Sequence, residues 1–154
     1  MTKSYRGGDE QRLALGAWVR LARATSAVEG TLHRSLEGHG LTLSQFGVLE
    51  ALYHVGPLCQ TELAEKILCT GGNLTLLVDK LERQGLVRRE RRPEDRRYVE
   101  VQLTAAGESL IRRIFPGHAQ RVAELFQTLS PSEQRDLARL CRKLGLGLRD
   151  GVTA

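Results

Sequence analysis

Leu74, Leu77, Val78 and Leu81 recur at the i, i+3, i+4, i+7 spacing of an amphipathic helix; Gly85 closes it, and the pattern then switches to period two. A chain that changes period across one glycine has few options. A helix must be followed at once by strands, and both must bury their apolar sides in one core. The spacing predicts a helix over residues 72–84 and strands over 86–91 and 97–103, where Val99, Val101 and Leu103 alternate with Tyr98, Glu100 and Gln102. Pro93-Glu94-Asp95 supplies the turn between them. From Arg83 to Arg97, seven arginines (83, 88, 89, 91, 92, 96, 97) stand against three acids (90, 94, 95), which leaves +4 of a net charge of +5. A local basic cluster on a near-neutral remainder marks a polyanion site. Charge alone would also suit a solvated loop. The helix beside it favours a DNA duplex, because a helix can enter one groove while a basic hairpin reaches the phosphates and the next groove.

The segments before this hairpin complete a helix-turn-helix. Thr42 with Gln45 three residues later makes a capping box, with Ser44 as a rival cap, and Gly56-Pro57 ends that helix. A short helix over residues 60–68 follows, with Cys59 at the cap position, and Thr70-Gly71-Gly72 forms the turn. Flanking helices are predicted at both ends. Over residues 11–37, Leu13, Ala17, Leu21, Ala24, Val28, Leu32 and Leu36 form a stripe that Gly38-His39-Gly40 stops. After Thr104, an apolar pattern from Leu110 to Leu129 contains Pro116, which should kink or split the helix. Ser130-Pro131-Ser132-Glu133 starts a last helix, with Leu137, Leu140, Cys141 and Leu144 on one face; Gly145 and Gly147 are expected to end the ordered structure. The fold class is therefore mainly α with a small β-hairpin wing. Residues 41–104 form the winged helix-turn-helix, and 11–37 and 105–147 form dimerisation helices of one domain spanning 1–154.

Other function classes find little support. The chain of 154 residues is about one domain's worth. No apolar run approaches the roughly 20 residues of a membrane span, and the first ten residues lack a signal peptide's apolar stretch, so a cytoplasmic location is expected. There is no Gly-rich phosphate loop, nucleophile elbow or paired carboxylates, so no enzyme is indicated and no cofactor is called for. The four histidines show no metal-ligand spacing. Aromatic residues are 5%, too few to suggest base-stacking platforms for RNA. Cys59, Cys69 and Cys141 fit free thiols better than a disulfide framework.

Between Leu41 and Leu110 the chain resembles the MarR family of bacterial winged-helix transcription regulators. The carrying residues are Leu43-Ser44-Gln45-Phe46-Gly47-Val48-Leu49, Thr61-Glu62-Leu63-Ala64, Gly71-Gly72-Asn73-Leu74-Thr75, Val78-Asp79-Lys80-Leu81-Glu82 and Gly85-Leu86-Val87. After them come Asp95-Arg96-Arg97 and Leu103-Thr104-Ala105-Ala106-Gly107. No single piece decides, but the set in this order and spacing is specific. The resemblance implies a triangular homodimer held by its terminal helices, and a palindromic operator. It also implies repression relieved by a small aromatic ligand or by cysteine oxidation. The competing reading is a winged helix used as an architectural or protein-interaction module without an effector.

With the apolar stripe of the 72–84 helix on the core, Gly72, Leu76, Asp79 and Arg83 point outward, with Asn73, Thr75 and Lys80 on the flanks. Residues near a recognition helix's N-terminus usually touch base edges, so Thr70, Asn73, Thr75 and Leu76 are the expected readers, Leu76 against a thymine methyl. Asn73 and Thr75 have an alternative role as helix caps. Ser44, Gln45, Gly71 and Gly72 complete the candidate surface on the helical side. Asp79 facing phosphates needs a partner, and Arg83 one turn on is the expected one. On the wing, Asp95 is expected to hold an arginine fork. The family pattern points to Arg97 as the minor-groove residue, with Arg96 a close rival. Arg88, Arg89, Arg91 and Arg92 would supply phosphate contacts. For sensing, Cys59 at a helix N-terminus is the redox candidate. Trp18, Tyr53 and His54, with His33, His39 and His118, are the candidates for an effector pocket, ordinary packing being the alternative for each.

Overall fold

The computed structural model describes residues 7–67, 71–95 and 97–151. Among these, six helices and three strands follow in the order α1 (Asp9–Glu37), α2 (Leu43–Val55), β1 (Leu58–Cys59), α3 (Gln60–Ile67), α4 (Gly71–Arg83), β2 (Val87–Arg91), β3 (Val99–Leu103), α5 (Ala105–Phe126) and α6 (Pro131–Gly151). It is the mainly helical fold with a small antiparallel wing that the sequence predicts. The chain divides into two compact units, the first running through His118 and the second beginning at Ala119.

The core of the first unit is built from the predicted stripes. Leu74, Val78 and Leu81 of α4 are fully buried against Phe46, Val48 and Leu49 of α2, with Leu63 of α3 and Ile111 of α5 in the same cluster. From the sheet, Val87 and Val101 enter it. The sheet order is β1-β3-β2, and β2 pairs with β3 from Val87↔Leu103 to Arg91↔Val99. In this register Val87 and Val101 are buried while Arg88, Glu90 and Arg91 are exposed, the alternation that a half-buried ribbon requires. β1 is unexpected from the sequence. Its two residues pair as Leu58↔Val101 and Cys59↔Glu100, which pins the entry to α3 onto the outer edge of the hairpin.

The helix ends follow local chemistry. The Thr42 hydroxyl accepts the Gln45 N–H at 3.2 Å, and Gln45 Oε1 accepts the Thr42 N–H at 2.9 Å, completing the reciprocal box. Glu133 and Ser130 make the same pair of bonds at the start of α6, at 2.7 and 3.3 Å. At the end of α4, Gly85 adopts φ +71, and the Leu86 and Gly85 N–H groups return to the carbonyls of Leu81 and Glu82 at 3.0 and 2.9 Å. This 6→1 and 5→2 pattern needs a left-handed residue, which is why a glycine stands there.

Several expected boundaries move. β3 begins at Val99, and Arg97 belongs to the turn. α5 is not divided at Pro116 but continues to Phe126, so the helix tolerates the one backbone hydrogen bond that proline removes. α6 runs through Gly145 and Gly147 to Gly151, where the sequence predicts its end. Each helical glycine costs only about 1 kcal/mol relative to alanine, which neighbouring good helix formers can offset.

Candidate nucleic-acid interface

α4 and the wing meet on one side of the first unit, and the expected DNA contacts divide there into free and engaged groups. Leu76 is 66% exposed, although leucine is an apolar side chain that the core would accept. Gly72, Asn73, Thr75, Lys80 and Arg83 are exposed around it. The Thr75 hydroxyl accepts a 3.0 Å hydrogen bond from Gln60 Nε2 of α3, so Thr75 is held in place rather than loose. The Arg83 Nε donates to the Asp79 carbonyl oxygen at 3.3 Å. Thr70 and Arg96 lie outside the described residues; Gly71 opens α4.

Gln45 is corrected. It is 1% exposed, and its Oε1 is taken by the α2 cap, so the side chain is enclosed rather than presented at the surface. Its neighbour Ser44 is exposed.

The wing arginines are not equivalent. Arg91 and Arg97 are exposed and make no ion pair among the described residues. Arg88 pairs with Glu90 at 3.4 Å, and Gln102 Nε2 donates to the same carboxylate. Arg92 lies 4.3 Å above the Tyr98 ring and donates through Nε to Glu100 at 2.7 Å, which holds its pKa above the usual arginine value. Arg89 is corrected more fully. It is half-buried, and its guanidinium pairs with Asp79 at 2.6 Å and Glu82 at 2.7 Å, so it does not face phosphates as expected. The partner of Asp79 is thus Arg89; Arg83 reaches only the Asp79 backbone. The Asp95 carboxylate accepts the Arg97 backbone N–H at 3.0 Å; the neighbouring Arg96 lies outside the described residues. This Asx-type bond shapes the turn and leaves the Arg97 guanidinium outward. Gln60 and Glu82, which join this network, carry no sequence signal, because a contact across 7 or 29 residues has no period.

The wing's outer edge surrounds Cys59. The Cys59 N–H donates to Glu62 at 3.0 Å, and Tyr98 approaches the same carboxylate at 3.4 Å. Glu62 is held below the usual carboxylate range, mainly by that backbone N–H. The Tyr98 hydroxyl is pushed up to about 12, first by its hydrogen bond with Cys59 and then by burial and nearby negative charge. Cys59 is half-buried and Cys141 exposed; Cys69 lies outside the described residues.

A cavity of about 470 Å³ opens among α1, α2, α3 and α5 within the first unit. Its walls include Phe46, Glu50, His54, Lys66 and His118. Phe46 and His118 meet with ring centres 4.2 Å apart and planes tilted by 37°, and Phe115 meets His54 edge-on at 4.8 Å. Of the candidate effector residues, His54 and His118 line the cavity. Trp18 and Tyr53 do not: Trp18 is 63% exposed on α1, and Tyr53 packs against the core. Among the described residues no cluster of metal-ligating side chains occurs, and no helix is long and apolar enough to cross a membrane.

Residues 41–99 match the model of the MarR family. The chain is 38% identical over 138 residues to the HTH-type transcriptional regulator YkoM of Bacillus subtilis, covering 90% of each chain. It is 34% identical to the HTH-type transcriptional regulator MhqR of the same organism, covering 88% of this chain and 94% of that one. Among solved structures, a MarR family transcriptional regulator from Streptomyces coelicolor in complex with DNA superposes with a TM-score of 0.82 at 31% identity, covering 96% of this chain and 93% of that one. An arginine-bearing wing beside an exposed reading helix, on a chain this similar over nearly its whole length, identifies it as a member of the MarR family of DNA-binding transcriptional regulators.

Proposed function

We propose that the protein is a homodimeric repressor that binds a palindromic operator and releases it when a small aromatic ligand binds or when Cys59 is oxidised. The observation that carries the DNA part is the placement of Leu76, Lys80 and Arg83 on the outer face of α4, beside a wing on which Arg91 and Arg97 are exposed and make no ion pair among the described residues. In this reading Asn73, Thr75 and Leu76 meet base edges, Lys80, Arg83 and Arg91 meet phosphates, and Arg97 enters the minor groove. The solved relative in complex with DNA supports this use of the surface. Exposed leucines on α6 support a second copy as partner. The cavity beside α2 supports a small ligand: its volume suits one, and Phe46, His54 and His118 put aromatic rings in its lining.

The test is selection of genomic duplex fragments on the purified protein, followed by affinities over a salt series. An inverted repeat with half-sites about one helical turn apart is expected. Arg97→Ala should weaken operator binding and reduce the log–log salt slope by roughly one. Enrichment of no motif, with only steep salt-dependent binding, would point instead to an architectural role.

A further inference from the structure

Among the wing arginines that the structure describes, Arg89 alone turns inward, with its side chain 22% exposed. Its NH2 reaches Asp79 Oδ1 at 2.6 Å and its NH1 reaches Glu82 Oε2 at 2.7 Å, both on α4. The other oxygen of Glu82 accepts the Arg89 backbone N–H at 3.0 Å, so this carboxylate grips strand β2 by main chain and side chain together. Arg89 also donates through Nε to Gln60 of α3 at 3.4 Å, and Gln60 donates on to Thr75. One side chain therefore ties together the strand that leads to the wing tip, the reading helix and the helix before it.

Two physical consequences follow. Asp79 and Glu82 are acids on the helix that must approach a polyanion, and a shared guanidinium offsets their charge where phosphates would otherwise meet it. The bonds also restrict rotation of the wing about the Gly85 turn. A protein that reads two grooves at once binds tightly only if the two contacting elements are already set at the right spacing; otherwise ordering them costs free energy on binding.

We infer that Arg89, Asp79 and Glu82 form a clamp that fixes the wing relative to the reading helix. In this role Arg89 is a positioning residue for operator recognition, not a phosphate contact. The inference rests on the reading that α4 and the wing share one duplex.

Three readouts on full-length variants test it: operator affinity, affinity for a random duplex, each over a salt series, and hydrogen exchange of the free protein. Arg89→Gln should weaken operator binding by roughly tenfold, well beyond its loss of random-duplex affinity, with the salt slope unchanged. Its β2 and β3 amides should exchange faster without any DNA present. Asp79→Asn combined with Glu82→Gln should also weaken operator binding. This sign is diagnostic, because deleting two negative charges from a DNA-facing helix would by charge alone tighten it. The combined variant keeps Arg89 and carries the test if Arg89→Gln fails to fold. A salt slope lowered by about one in Arg89→Gln, or tighter operator binding by the combined variant, would overturn the clamp. If the wild type selects no sequence, the DNA reading fails by itself. The exchange experiment then still decides the clamp, and unchanged β2 and β3 amides in a folded variant would reject it.

Discussion

His118 shows how one side chain can set a pH limit on the fold. Its ring packs at a tilt against Phe46, and Nδ1 is buried without a hydrogen-bond partner among the described residues. Burial lowers its pKa from the ordinary 6.5, and nearby Glu50 opposes that shift only in part. The folded state therefore binds the proton less readily than the unfolded chain. Stability from this group is fully present above the unfolded value of 6.5 and is lost as pH falls toward the lower folded value. Thermal unfolding of the wild type should accordingly decline between about pH 7.5 and about pH 5.5 more steeply than that of His118→Leu, which cannot titrate. Parallel curves would reject the assignment. At this scale the sequence is a good guide where chemistry is local. Thr42 and Gln45 reveal their capping box by spacing alone. The same spacing is silent about burial, so Gln45 reads as a candidate DNA contact while in the fold it is enclosed.

Among the elements, the joint between β3 and α5 is the most tightly specified. The Thr104 hydroxyl donates to the Gly85 carbonyl at 2.6 Å and accepts the Gly107 N–H at 3.0 Å, while the Thr104 N–H reaches the Leu86 carbonyl at 3.1 Å. Helix α5 therefore starts pressed against the end of α4. A Cβ on Gly107 would stand 1.9 Å from the Leu86 carbonyl oxygen, which is backbone and cannot swing aside. Gly107→Ala should cost about 1–3 kcal/mol in urea unfolding. Gly117→Ala, on the same helix with nothing within 4 Å, should be neutral or stabilise by up to about 1 kcal/mol. Equal effects would mean that the close approach does not matter. Helices and hairpin are readable from the sequence because each has a period several repeats long. β1 is not, since two residues have no period, and its existence depends on where β3 lies. The α6 terminus is misjudged for the opposite reason: Gly145 and Gly147 are local stop signals that the rest of the helix overrides.

Across the whole molecule, each of the two units leaves large apolar side chains exposed. The second unit's α6 exposes Leu140 and Leu144 by 53% each and Leu148 by 62%, and in the first unit Leu13 of α1 is 77% exposed. Covering a leucine fully contributes about 1.5–3 kcal/mol, so a stripe of this length can support a stable dimer. Leu140→Asp with Leu144→Asp should shift sedimentation toward monomer and weaken operator binding without altering the unfolding of the first unit. A variant that still sediments as a dimer would place the interface elsewhere. The sequence displays these stripes openly but not the division at His118, because a unit boundary inside α5 leaves no break in helical period.

The wing tip is closed beneath by the Arg92 N–H to Tyr98 carbonyl bond at 3.0 Å, and the Tyr98 N–H returns to the Asp95 carbonyl at 3.0 Å. Among the described residues, the contacts that anchor the hairpin to the core lie on the near side of that closure. Residues beyond it can be exchanged or lengthened at little cost to the fold, since long surface insertions add only slowly to loop entropy. Descendants of such a chain can thus vary the tip by drift, with the framework that presents it inherited intact.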